Sequence, residues 1–142
     1  METTKQALWD KRHLGLARHV AGWSKDPRKR VGSVVTKDNY VRGVGYNGFP
    51  RGIADTKARL ADPAIKLALI IHAEVNALAA AEDGDCIYVY PCLPCTLCLG
   101  QIIQRGIKRI VTMKSKPKTK WSPDLVLSLA EEADMEVVII KI

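Results

Sequence analysis

The second half of the chain alternates strand-like and helix-like runs, and that rhythm restricts the fold more than any other feature. Cys86–Tyr90 (CIYVY) is a short, continuous apolar run. Cys95–Arg105 reads as a helix and meets Gly106 at the position just past a helix end where glycine is favoured. Ile107–Met113 is strand-like again. Ser122-Pro123-Asp124 opens a helix with a capping hydroxyl and a first-turn proline; it runs to about Ala133, and Val137–Ile142 follows as a last strand. Strand, helix, strand, helix, strand implies parallel strands with crossover helices, and so an α/β layer fold.

The first half fits such a fold without repeating it. Lys5–Trp23 is an amphipathic helix and Ser24–Arg30 a polar loop. Val31–Thr36 and Tyr40–Tyr46, separated by Lys37-Asp38-Asn39, form an expected antiparallel hairpin. Residues 47–52 are a loop punctuated by glycine and proline, and the stretch to about Lys66 is poorly patterned and partly helical. His72–Ala81 reads as a buried helix ending near Gly84. With no internal repeat, linker or low-complexity tract, 142 residues are expected to form one domain with a real core.

Composition excludes several classes. Met1-Glu2-Thr3-Thr4 opens no basic and apolar leader, so the four cysteines are expected as thiols or metal ligands in a cytosolic protein (host cytoplasm, if a virus encodes it). The most apolar window, 64–81, contains Lys66, His72, Glu74 and Asn76, so it is no membrane span. A formal charge of +7, from 22 basic against 15 acidic residues, suits an anionic partner, either nucleic acid or a phosphorylated small molecule. The charge gathers in KDPRKR (25–30) and KSKPKTK (114–120).

The chemistry is concentrated in two segments. Tyr90–Cys98, YPCLPCTLC, contains Pro-Cys-x-x-Cys twice, and twenty residues before Cys92 stands His72 in IIHAEVNAL, with Glu74 two residues on. His-x-Glu followed by Pro-Cys-x-x-Cys is the signature of zinc nucleobase deaminases. One imidazole and two thiolates give a catalytic Zn2+ three ligands and leave a fourth position for water, whose pKa falls to about 7. A nearby carboxylate that is not a ligand must then move protons, and Glu74 is placed for that. Helix geometry selects the thiolates: Cys95 and Cys98 share the first helical turn after Pro94, where the dipole and unpaired N–H groups favour thiolate. Cys92 is expected as a neighbouring spectator thiol, Cys86 as core, and His13 and His19 as helix residues without a metal partner.

With these motifs stand SKDP (24–27), VGSVV, GYNGFPRG (45–52) and IIQRGIK (102–108). Together they make the chain resemble, over nearly its whole length, the cytidine/deoxycytidylate deaminase superfamily, and most nearly its deoxycytidylate branch. The superfamily's spacing from the last motif cysteine to II-x-x-GI-K is met from Cys98, which agrees with the choice of Cys95 and Cys98. The resemblance implies a three-layer α/β/α sandwich with a five-stranded mixed sheet. It also implies hydrolysis of a deoxycytidine nucleotide, dCMP to dUMP plus ammonia, by zinc-activated water with Glu74 as the catalytic proton carrier. It further implies a homo-oligomer, often a hexamer, activated by dCTP and inhibited by dTTP, with Mg2+ accompanying the allosteric nucleotide.

Substrate contacts carry over by position. Asn47 matches the residue expected on the sugar hydroxyl, against the alternative of a turn asparagine. Ser24 and Lys25 match the loop near the 5′-phosphate. Asn76 shapes the substrate floor or caps local backbone. Two tyrosines of the pattern are missing: the one before the HAE motif, where Leu67–Ile71 stand, and the one after the strand ending at Met113. In MKSKPKTKW, Lys116 could take over the phosphate contact, which leaves dCMP, dCTP and a modified cytosine nucleotide all open as substrates. Trp121 reads as a hydrophobic lid over the next helix. The alternative function is a tRNA adenosine deaminase: PCTLCLG and the basic charge suit it, whereas SKDP, GYNGFPRG and the asparagine of HAEVNA oppose it. A nonenzymatic zinc-stabilised nucleic-acid-binding module would need a fourth protein ligand, for which Cys92 is the candidate.

Overall fold

In the computed structural model, residues 4–114 and 123–141 are described. The elements run α1 (Lys5–Ala21), β1 (Gly32–Lys37), β2 (Tyr40–Tyr46), α2 (Lys57–Ala61), α3 (Pro63–Leu69), α4 (Ala73–Ala80) and β3 (Cys86–Tyr90), then α5 (Thr96–Gln104), β4 (Arg109–Met113), α6 (Pro123–Glu132) and β5 (Glu136–Ile140). The hairpin is antiparallel, and its turn places Asp38 and Asn39 at φ 50° and 66°, a left-handed conformation that Asp and Asn tolerate. As the alternation implied, β3, β4 and β5 are parallel. β1 pairs antiparallel with β3, giving one five-stranded mixed sheet in the order β2-β1-β3-β4-β5.

Successive β1 side chains point to opposite faces and so define the layers. Val34 joins Leu14 and Ala17 of α1 with Tyr88 and Val111. Val35 joins Ala77 of α4, Leu99 and Ile102 of α5 and Val126 of α6 with Ile87 and Ile110. The result is an α/β/α sandwich, α1 on one side and α4, α5 and α6 on the other. Glycine sets how closely the layers meet. A β-carbon on Gly32 would lie 2.0 Å from the Ala17 carbonyl oxygen, and one on Gly45 would lie 2.3 Å from the Ala77 nitrogen. α1 and α4 thus rest directly on strand backbone.

The register fixes where a site can form. Gly32 lies opposite both Tyr46 and Tyr90, so the segment before β1 and those after β2 and β3 open on the same edge of the sheet. Because β3 and β4 are parallel, that edge also holds the carboxyl end of β4. This is where α/β sheets place their ligands. The poorly patterned stretch contains α2 and α3, and α3 buries none of its residues. Among the described residues no helix is long and apolar enough to cross a membrane. The expected cap Ser122 lies outside the described residues.

Candidate active site

Two helix starts bring the ligand candidates together. Ile71 exchanges backbone hydrogen bonds with Gly48 (Ile71 N–H to Gly48 O, 2.8 Å; Gly48 N–H to Ile71 O, 3.1 Å), and the chain then turns into α4 with His72 as its N-cap residue. The His72 side chain makes no capping hydrogen bond. Cys95 is the N-cap of α5, its Sγ accepting the Cys98 N–H at 3.5 Å. His72 Nδ1 lies 3.2 Å from Cys98 Sγ and 3.5 Å from Cys95 Sγ, and all three donor atoms fall within 4.8 Å of one another. Tetrahedral zinc with its nitrogen ligand at about 2.0 Å and sulfur at about 2.3 Å requires N···S edges of about 3.5 Å. The donor set therefore fits Zn2+ in kind and in spacing, and three protein ligands leave one position for another group.

Without an ion, the charge in this cluster settles on one sulfur, Cys95. A hydrogen bond from Cys98, opposed by burial and reinforced by His72, holds the Cys95 thiol down at about 4. The same bond to Cys95, then burial, then Glu74, drives Cys98 far up, and the hydrogen bond to Cys95 raises His72. Cys92 falls outside the convergent trio, and burial raises its thiol, the condition of an inert neighbour. Glu74, in the first turn of α4, is 4% exposed. Burial raises its carboxyl, with its own backbone N–H and His72 offsetting only part of the effect.

The expected substrate residues are engaged with the protein. Ser24 is buried; its Oγ donates to the Asn47 carbonyl at 2.9 Å and accepts the Asp26 N–H at 3.2 Å. Lys25 is exposed and paired with Asp55 at 3.1 Å. Asn47 Oδ1 accepts the Val31 N–H at 2.9 Å, while Nδ2 donates to the Lys29 carbonyl at 2.8 Å. Asn76 Nδ2 donates to the Tyr46 carbonyl at 2.8 Å, tying α4 to β2. A cleft of about 110 Å³ lies among Lys25, Tyr46, Asn47, Phe49, Asp55 and Ile70, beside the strand bridge that leads to His72. Lys116 and Trp121 lie outside the described residues.

Sequence reasoning passed over Asp26, Lys66 and Arg105. Asp26 is 3% exposed and pairs with Lys66 at 2.7 Å; its place inside SKDP was the available signal. Arg105 closes the far ends of the two site helices, donating from α5 to the carbonyls of Leu78 (2.7 Å) and Ala81 (2.6 Å) at the end of α4.

The family model for the cytidine and deoxycytidylate deaminase zinc-binding region matches residues 7–114. The chain belongs to this deaminase family. It is 41% identical over 136 residues to an uncharacterized deaminase of Aliivibrio fischeri, covering 91% of each chain. It is 34% identical over 117 residues to human deoxycytidylate deaminase, covering 76% of this chain but 66% of the human one, so the match spans about two-thirds of that relative. The dCMP deaminase of cyanophage S-TIM5, solved with dCMP and dUMP, superposes with a TM-score of 0.74 at 21% identity, over 98% of this chain and 100% of that one. That likeness shows the fold. Family membership and the His-Cys-Cys cluster together make this a zinc-dependent deaminase.

Proposed function

We propose that the chain hydrolyses dCMP to dUMP and ammonia. The observation that carries this reading is the convergence of His72 Nδ1, Cys95 Sγ and Cys98 Sγ beside a buried, non-ligating Glu74. The naming of the human relative as a deoxycytidylate deaminase supports the choice of substrate. When bound, zinc supplies a water acidified to a pKa of about 7 and stabilises the charge that develops during attack. His72, Cys95 and Cys98 would hold the ion, and as three protein ligands they would leave one coordination position for water. Glu74 would accept one proton from water as its oxygen bonds to C4 and pass it to N3. It would then take the remaining proton of the C4 hydroxyl and give it to the exocyclic nitrogen as C4=O forms and the C4–N bond breaks, releasing ammonia. Its burial excludes the bulk water that would compete for those protons.

Ser24, Asn47 and Asn76 serve the substrate through the backbone they fix around the cleft. Lys25, and on sequence alone Lys116, belong to the basic rim that receives phosphate. The proposal includes a homo-oligomer, a hexamer, activated by dCTP and inhibited by dTTP with Mg2+; it rests for these on the family resemblance. Turnover of dCMP, dCTP, a modified dCMP and CMP by the zinc-loaded protein, with and without dCTP or dTTP, tests the reading. Fastest ammonia release from dCMP is expected. Deamination of tRNA adenosine with none of free dCMP overturns it.

A further inference from the structure

The groups of the site ride on two helices. His72 is the N-cap residue of α4 and Glu74 lies in its first turn, while Cys95 is the N-cap residue of α5 and Cys98 lies in its first turn. The separations of His72 Nδ1 from Cys98 Sγ (3.2 Å) and Cys95 Sγ (3.5 Å) therefore depend on how α4 lies against α5. Neither helix fixes that alone. The contact between them is apolar: Ala73, Ala77 and Leu78 share one cluster with Leu99 and Ile102. Such packing is non-directional, and α4, eight residues long and half alanine, offers few side chains that would lock its position.

The carboxyl ends of the two helices carry what the apolar contact lacks. Arg105, the C-cap residue of α5, donates from Nη1 to the Leu78 carbonyl at 2.7 Å and from Nη2 to the Ala81 carbonyl at 2.6 Å. Ala81 is the C-cap residue of α4, whose last turn holds no basic residue of its own. The guanidinium thus supplies both the donors and the positive charge that a helix C-terminus favours. Its planar fork fixes direction as well as distance, and it forms no ion pair among the described residues. The helices are clamped at one end by this fork and meet at the other around the metal ligands, about 12 Å away for eight residues at 1.5 Å each.

We infer that Arg105 is a positioning residue for the metal centre: by fixing α4 against α5 at their carboxyl ends, it sets the spacing of imidazole and thiolates at their amino ends. Zinc affinity and the placement of Glu74 then both depend on a side chain that touches neither ion nor substrate. The inference rests on the zinc-dependent deaminase reading of this site, and metal binding tests it without any substrate.

The test compares wild type with Arg105→Met, which keeps the apolar stem and removes the donors, and Arg105→Lys, which keeps the charge and loses the fork. Thr4→Ala is the control, because it removes a helix cap remote from the site, the bond from the Ala7 N–H to Thr4 Oγ at 3.0 Å. Zinc Kd is measured by competition with a chromophoric chelator, beside denaturant unfolding of the metal-free proteins and kcat and KM on dCMP per bound zinc. Arg105→Met is expected to weaken zinc binding by about ten- to a hundredfold, the size of effect that partners orienting metal ligands have. Its kcat per bound zinc should fall with KM within about twofold, and Arg105→Lys should lie between it and wild type. Thr4→Ala should lose stability and keep wild-type zinc affinity. Unchanged zinc affinity in Arg105→Met, or an equal loss in Thr4→Ala, would overturn the inference and leave the deaminase reading intact. If Arg105→Met does not fold, Arg105→Lys decides, and wild-type zinc affinity there overturns it. A wild type that binds no zinc removes the metal reading, and this inference with it.

Discussion

Asp10 and Glu74 are equally hidden, 3% and 4% exposed, yet they are built for opposite purposes. Asp10, on α1, meets the first residue of β4, where Arg109 grips it from Nη1 at 2.7 Å and Nη2 at 2.6 Å. Tyr88 Oη donates to it at 2.7 Å and Gln6 at 3.0 Å. Burial pushes its carboxyl upward, but these donors outweigh burial and hold it below the ordinary range. Glu74 stands at the other edge of the sheet with no Lys or Arg ion-paired to it among the described residues, and its carboxyl is raised. A buried carboxylate surrounded by donors holds helix to sheet. One left without a cation can hold or release a proton. Burial alone does not separate the two; the donors around each group do.

The largest effect that separates the two edges is expected at the ligands. Cys98→Ser should lose zinc and at least about a thousandfold in turnover, the ion being worth several kcal/mol to the reaction. Its unfolding midpoint in chelator should stay close to that of the metal-free wild type. Metal analysis beside a dCMP assay and chemical denaturation checks this, and full turnover with zinc absent contradicts it.

The next effect lies at the opposite edge. Arg109→Met leaves Asp10 buried and unpaired, which costs about 3–5 kcal/mol in denaturant unfolding, with turnover per bound zinc unchanged. Replacing both partners, Asp10→Leu with Arg109→Met, should restore most of that stability. Loss of turnover without loss of stability in Arg109→Met would break the contrast between the edges.

Asp10 and Asp26 also set an acid limb. Burial raises both carboxyls, but hydrogen bonds outweigh it, from Arg109 first in Asp10 and from Lys66 first in Asp26, so both are held below their ordinary 3.8 in the fold. The unfolded chain then binds protons first as pH falls. Their stabilisation is present above about pH 4 and is lost as pH drops through the lower native values. Unfolding followed from pH 6 to 2 should show that limb, shallower in Asp10→Asn measured over the same range.

The smallest effect is at His13, stacked on Trp9 and tilted against Tyr88, with Nε2 buried and unpartnered among the described residues. Burial, opposed by the Asn39 backbone and Asp10, lowers its pKa below 6.5, so protonation disfavours the fold and stability declines as pH falls below about 6.5. His13→Phe keeps the stacking and removes the orphaned nitrogen. It should alter stability by about 1 kcal/mol and remove the decline between pH 6.5 and 5 in denaturant midpoints.

What could be read from the sequence depended on how far apart the interacting residues lie. Alternating runs from Cys86 to Ile140 showed the parallel half of the sheet because each element carries its own period. His72, Cys95 and Cys98 were legible because short spacing and helix starts place them on two turns. α3 was legible only as part of a partly helical stretch, since a helix with no buried residue has no apolar stripe to detect. The Asp10–Arg109 pair spans 99 residues and Lys66–Asp26 spans 40, and no local pattern relates such partners. Nor could the sequence show that the Ser24 and Asn47 side chains, expected near the substrate, also hold the loop backbone.

Glu74→Gln is the substitution that tests the central claim most directly, assayed for dUMP production and for bound zinc on the same sample. Full zinc with turnover reduced by about 10²–10⁴-fold is the predicted result, because the ligands remain while proton transfer fails. Wild-type turnover in that variant would contradict the account.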